Sequence, residues 1–385
     1  MEFTFTQEQK MIRDTAQAFL AEISSSQAIR SAMATEQGYE DKIWQRICDE
    51  MYWQAIHVPE EYGGLGLGYV ELVVLLEQMG RYLLCSPFFS TVCLGANALM
   101  IAGTEAQKQQ YLSQICAGSL TATLAYTGSN GRWGSDAIEG VIDLQGENYV
   151  LNGTYRYVPD GHTADLLIVA ARHKGSKGEA GISLFAICAN TPGVSRTWLP
   201  TMDQTRKQAE IIFENVTLSK DHLMAEPANA WLPLQQILHL ATIATAAEQT
   251  GGSQQVLDLT VAYTKERVQF GRPVAGFQAV KHLAADMMLR TEVARSAIYY
   301  AGCVAEESIN GGSLALELAE AASVAKAYCS DGYFKNASDA IQLHGGVGFT
   351  WEYDVHLYFK RAKSSELFLG NGAYHREQVA KILLD

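Results

Sequence analysis

Gln342-Leu343-His344-Gly345-Gly346-Val347-Gly348-Phe349-Thr350-Trp351-Glu352 joins the end of a long periodic run to a glycine turn and an aromatic, mixed-charge segment. Two adjacent glycines let backbone approach a large ligand closely, because no Cβ stands in the way. The pair also fits a plain helix terminator. Gln342, one turn before it, favours a ligand-facing turn.

Working outward, helical periodicity covers Leu232 to Lys265, Phe277 to Asn310, Ser313 to Leu343 and Tyr374 to Leu384. Helices of that length are accommodated by a bundle. Upstream, from Ser119 to about Val216, the texture is that of strands: Thr121–Tyr126, Tyr149–Val158, Leu166–Ala170 and Ile182–Ile187, punctuated by Asn-Gly and Pro-Asp-Gly. The first part is helical again. Thr6-Gln7-Glu8-Gln9 fits a capping box, Tyr69 to Tyr82 is a strongly apolar helix, and Thr104 to Cys116 is an amphipathic one. The chain is therefore mainly α with a central β domain. The expected division is 1–118, 119–225 and 226–385.

The 385 residues are 48% hydrophobic and carry a net charge of −13, so a large core is available while nucleic acid and anionic membranes, which need a basic face, are disfavoured as partners. Seven cysteines without a CxxC spacing are expected to be buried, reduced thiols of a cytoplasmic protein, and no metal site is indicated. Met1 to Asp14 has no basic segment followed by an apolar one, so no signal peptide is evident. Apolar runs such as Val70–Leu76 are too short for a transmembrane segment.

The order helices, β domain, helices resembles that of acyl-CoA dehydrogenases, and local stretches match with it. Glu60-Glu61-Tyr62-Gly63-Gly64-Leu65-Gly66 resembles the family's early glycine turn. Glu266-Arg267-Val268-Gln269-Phe270-Gly271-Arg272-Pro273, with Phe277-Gln278-Ala279-Val280-Lys281-His282, resembles its segment at the dimer contact that holds the FAD pyrophosphate and adenine. The Gln342–Glu352 stretch resembles its flavin-contacting C-terminal segment. The resemblance implies a β-barrel-like middle domain and a C-terminal four-helix bundle. It also implies FAD as cofactor, an acyl-CoA substrate, electron-transfer flavoprotein as acceptor, and a dimer, a homo-tetramer or an α2β2 hetero-tetramer.

Arg267 beside Gly271 supplies the fork of N–H groups and the close backbone approach that a pyrophosphate needs; read alone, Arg267 is a surface ion-pair partner of a helical Glu. Gln269, Phe270, Phe277, Gln278, Gln342, Gly345, Gly346 and Asn371 complete the implied cofactor contacts from the C-terminal half. From the β domain come Tyr126, Thr127, Ser135 and Tyr157. Here the sequence departs from the family. Tyr157-Val158-Pro159-Asp160 replaces the usual Trp-Ile-Thr-Asn, so Pro159 brings neither hydroxyl nor backbone N–H. The other wall survives only as Tyr126-Thr127-Gly128 and, after a longer loop, Gly134-Ser135-Asp136; Trp133 in that loop is a packing anchor.

The implied reaction is α,β-dehydrogenation, in which a carboxylate removes the α-proton and the β-hydrogen leaves as hydride to flavin N5. The family's usual carboxylate position holds Leu369, and an alternative position, ten residues before Gly252, holds Thr242. One acid remains on that helix: Glu248, in Ala246-Ala247-Glu248-Gln249-Thr250-Gly251-Gly252, a carboxylate in small apolar surroundings. Glu248 is a candidate base or half of a buried ion pair, and it lies about 120° around the helix from Thr242. Glu366 is a weaker candidate, with Lys363 as its partner. Three functions stay open: a dehydrogenase with Glu248 as base, a non-catalytic FAD-holding subunit, and a flavin oxidase or monooxygenase on the same scaffold.

Overall fold

The computed structural model describes residues 6–384; the first five residues of the Met1–Asp14 stretch lie outside the described residues. The chain forms two compact units. One comprises the residues up to Ser31, Gly68–Leu84 and those from Thr242 onward; the other comprises Ala32–Leu67 and Cys85–Ala241.

The first unit is helical. Helix α1 (Gln7–Ile23) starts at the expected capping box: the Gln9 amide donates to Thr6 Oγ1 and the Thr6 amide to Gln9 Oε1. After α2 (Ser26–Met33) comes α3 (Tyr69–Arg81), which is buried along most of its length, as its nearly unbroken apolar run requires. Four more helices follow α4 (Trp231–Glu266), whose residues from Thr242 belong to this unit: α5 (Gln278–Asn310), α6 (Leu318–His344), α7 (Val355–Leu367) and α8 (Gly372–Leu384). Helix α3 crosses α4 with the backbones touching. A Cβ on Gly80 would lie 2.0 Å from the Glu248 carbonyl oxygen, and one on Gly251 would lie 1.7 Å from that of Glu77. Only glycine permits that approach.

The second unit is built on an eight-stranded sheet: β1 (Ala122–Ala125), β2 (Val141–Gln145), β3 (Asn148–Pro159), β4 (Leu166–His173), β5 (Ile182–Cys188), β6 (Val194–Leu199), β7 (Gln208–Leu218) and β8 (Leu223–Met224), in the order β6-β7-β3-β2-β4-β5-β8. Strand β1 lies parallel to the first half of β4, and β2 lies parallel to its last residues. Residues 126–140 therefore leave the sheet where one edge of β4 changes partner. Tyr155, Leu167, Phe185 and Phe213 fill the core beneath, and the buried Tyr155 hydroxyl donates to the Ala170 carbonyl at 2.8 Å.

Two expectations need correction. Residues 105–116 form a helix, but its middle, Lys108–Leu112, is wound as a π segment. The cysteines are all free, yet Cys188, the last residue of β5, is exposed and Cys303 is half-buried. Among the described residues no helix is long and apolar enough to cross a membrane.

Candidate functional site

Helix α4 ends in a hairpin, Val268–Gln269 against Arg272–Pro273, whose two turn residues have positive φ: Phe270 at 55° and Gly271 at 75°. A two-residue turn of this kind favours Asn-Gly; a phenylalanine there carries about 1–2 kcal/mol of backbone strain. Phe270 is also 91% exposed. Its ring meets Phe277 edge-on, and the Arg272 guanidinium lies 4.0 Å over the Phe277 ring. Gln278 opens α5 right after Phe277. Arg267, Gln269 and Gln278 are exposed, and Arg267 makes no ion pair among the described residues, so the helical-Glu alternative for it is not what the fold uses.

The Gly345–Gly346 turn lies at the same end of the bundle. Tyr263, four residues before Arg267, stacks on His344 with ring centroids 4.3 Å apart, and its hydroxyl donates to the His344 carbonyl at 3.3 Å. Gly345 has φ 65°, and a Cβ on either glycine would meet nothing within 4 Å. The turn thus terminates α6 and also presents bare backbone beside exposed Gln342. Phe270 and Phe277 thus meet at the hairpin that follows Arg267, and the Tyr263–His344 stack ties the end of α4 to the glycine turn. Asn371 stands just before α8, where its Oδ1 accepts from the Tyr374 amide at 2.9 Å as a cap.

In the sheet unit, a β-bulge between Tyr155 and Val158 throws Tyr157 outward at φ 61°, where it is 55% exposed. Thr127 is locked beside it, donating from Oγ1 to the Arg156 carbonyl at 2.9 Å and accepting from the Arg156 amide at 3.0 Å. Tyr126 is buried beneath. The loop carrying Ser135 is held by Arg172, which donates to the Ser135 carbonyl at 2.6 Å and to the Gly178 carbonyl at 2.9 Å. Tyr157 and Thr127 are adjacent; Ser135 stands on the same departing loop.

Every residue from Ala241 to Gly252 is buried, Glu248 (8% exposed) and Thr242 (2%) among them. Leu369 is buried at φ 60°. Glu366 is engaged as expected, its Oε2 2.9 Å from Lys363 Nζ.

Sequence reading missed Lys326, which is fully buried on α6. Its Nζ donates to Ser330 Oγ (2.9 Å) and to the carbonyls of Ser365 (3.0 Å), Glu366 (3.1 Å) and Gly370 (2.8 Å). Burial pushes its ammonium down to about 7, while Cys329, Glu366 and Asp331 pull the other way. The available signal was a lone lysine in the small-residue run Ala321–Ala327, the same signal that singled out Glu248.

Family models match nearly end to end: the acyl-CoA dehydrogenase N-terminal domain over residues 6–119, the middle domain over 123–216 and the C-terminal domain over 231–384. The chain belongs to the acyl-CoA dehydrogenase family. Acyl-CoA dehydrogenase IpdE2 of Mycolicibacterium smegmatis is 30% identical over 378 residues, 98% of both chains. A solved structure described as the electron transferring flavoprotein of Acidaminococcus fermentans, concerned with flavin-based electron bifurcation, matches at 29% identity and a TM-score of 0.91 over 100% of both chains. A variant of the steroid ACAD Tcur3481-Tcur3483 matches at 28% identity, with a TM-score of 0.85 and 98% coverage of both chains.

Proposed function

We propose that this chain is an FAD-dependent acyl-CoA dehydrogenase that introduces an α,β double bond into an acyl-CoA thioester, with Glu248 as proton acceptor. Family membership carries the reaction class. Bound FAD supplies the acceptor for the two electrons and the β-hydrogen. The chain's residues fit such a dinucleotide: a strained phenylalanine without cover, a guanidinium without an ion-pair partner among the described residues and a bare glycine turn stand at one end of the helical unit. A strained, exposed Tyr157 stands in the sheet unit. Within the helical unit, Arg267 is the candidate for pyrophosphate charge, with Gln278 and Gln342 for polar edges of the cofactor; within the sheet unit, taken by itself, Tyr157, Thr127 and Ser135 are the candidates for an isoalloxazine wall. Glu248, on a buried turn of α4, takes the α-proton. The family division 1–118, 119–225 and 226–385 goes with this reading.

Glu248→Gln tests it. Anaerobic bleaching of the flavin absorbance across a panel of acyl-CoAs should fall at least about 100-fold in rate with the flavin still bound. Full activity in that variant refutes Glu248 as the base.

A second reading is favoured by Leu369 and Thr242, which leave both family base positions without an acid. The chain then serves as the FAD-holding partner in an α2β2 assembly, a reading supported by the double designation of the steroid relative. In that case bleaching appears only after a second polypeptide is added. Electron-transfer flavoprotein as acceptor is supported by the Acidaminococcus match, and rapid reoxidation by oxygen instead would mark an oxidase.

A further inference from the structure

Two turns of the helical unit hold the two positions where a base is sought: the α4 turn with Glu248, and the strap Phe368–Asn371 with Leu369. One nitrogen ties both. Lys326 Nζ reaches the strap at the Gly370 carbonyl and the end of α7 at the Ser365 and Glu366 carbonyls, where a helix leaves oxygens without amide partners. It reaches α4 through Ser330: Ser330 Oγ accepts from Gln249 Nε2 at 3.0 Å, and the same amide donates to Ser365 Oγ at 3.2 Å. Gln249 is the residue next to Glu248.

The strap needs such a clamp. Leu369 is held at φ 60°, a region unfavourable for leucine, and Gly370 follows at 105°. His375 takes the other carbonyl, its Nε2 lying 2.9 Å from the Leu369 oxygen, while Ser323 Oγ is 3.3 Å from its Nδ1. The nitrogen faces four oxygens here, so every N–H is engaged whether it is the ammonium with three or the neutral amine with two. A buried polar nitrogen left without partners would be expelled toward water.

We infer that Lys326 is the positioning residue of this site: through Ser330 and Gln249 it sets the α4 turn that carries Glu248, and through three carbonyls it sets the Phe368–Asn371 strap. The first half rests on the reading of Glu248 as the base; the second half does not. Lys326 touches neither substrate nor cofactor in this scheme and acts through the Ser330 and Gln249 side chains on α4 and through backbone carbonyls at the strap.

The test uses the full chain with its flavin. Lys326→Met, which keeps the stem and removes the N–H groups, should speed amide hydrogen exchange at least about tenfold in peptides covering 364–375 and 246–252, with the rest of α5 and α6 unchanged. Ser330→Ala should speed only 246–252. In steady-state assays both variants should lower kcat about tenfold and leave KM within about twofold, because orientation rather than binding is lost. Unchanged exchange in both peptides for Lys326→Met overturns the inference. If that variant does not fold, Ser330→Ala decides: acceleration at 246–252 alone supports it, and none overturns it. If the wild-type protein turns over no acyl-CoA, the proposed function fails while the exchange data still judge the clamp at the strap.

Discussion

Phe270 and Leu369 are two residues of the helical unit in the same unfavourable backbone region, φ 55° and 60°, and they are held there in opposite ways. Leu369 is 6% exposed and clamped from within by Lys326 and His375. Phe270 is 91% exposed, and among the described residues its own hairpin and the neighbouring Phe277 shape it. Strain that the fold itself secures serves architecture. Strain left standing in solvent has no internal return, and it is where an external ligand is expected to provide one.

The largest effect should come from the clamp. Lys326→Met leaves the carbonyls of Ser365, Glu366 and Gly370 without this donor and should lower unfolding free energy by about 2–4 kcal/mol near pH 7, read from urea denaturation. The pH dependence of the same measurement sharpens the point. The folded-state pKa of about 7 lies below the unfolded value of 10.5, so between the two the unfolded chain binds a proton that the folded chain has released. Lys326 therefore makes stability rise with pH across that window, and Lys326→Met should flatten that part of the slope.

Leu369→Gly comes next. It relieves about 1–2 kcal/mol of strain but removes a buried side chain that contributes about 2–4 kcal/mol, so a net loss of about 2 kcal/mol is expected. A gain would show that the strap is not held by packing. The smallest effect on stability should come from Phe270→Asn. It installs the preferred Asn-Gly turn and should stabilise the flavin-free protein by about 1 kcal/mol while weakening flavin retention on dialysis. Unchanged retention would break the contrast between the two residues.

Much of the fold was legible because periodicity is local. The capping box at Thr6, the long helices and strands β1, β3, β4 and β5 follow from patterns within one element. Strands β2, β6, β7 and β8 were not named individually: Val141–Gln145 is mostly solvent-facing, with Asp143 and Gln145 breaking its apolar run, Gln208–Leu218 is interrupted by Glu214 and Asn215, and Leu223–Met224 is only a pair. In the site, motif spacing singled out Arg267, Gln269, Phe270 and Gln278, which the fold leaves exposed, and Asn371, whose Oδ1 caps α8, while Lys326 was passed over.

The sequence by itself determined the family, the helix–sheet–helix order and the missing acids at Leu369 and Thr242, because each is written in contiguous residues. Only the tertiary structure decided why Gly80 and Gly251 are glycines, which turn is strained and which strain is secured. Those outcomes depend on backbones and side chains far apart in the chain. Lys326 and Gly370 are separated by 44 residues, and a hydrogen bond between them exists only once α6 and α7 are packed.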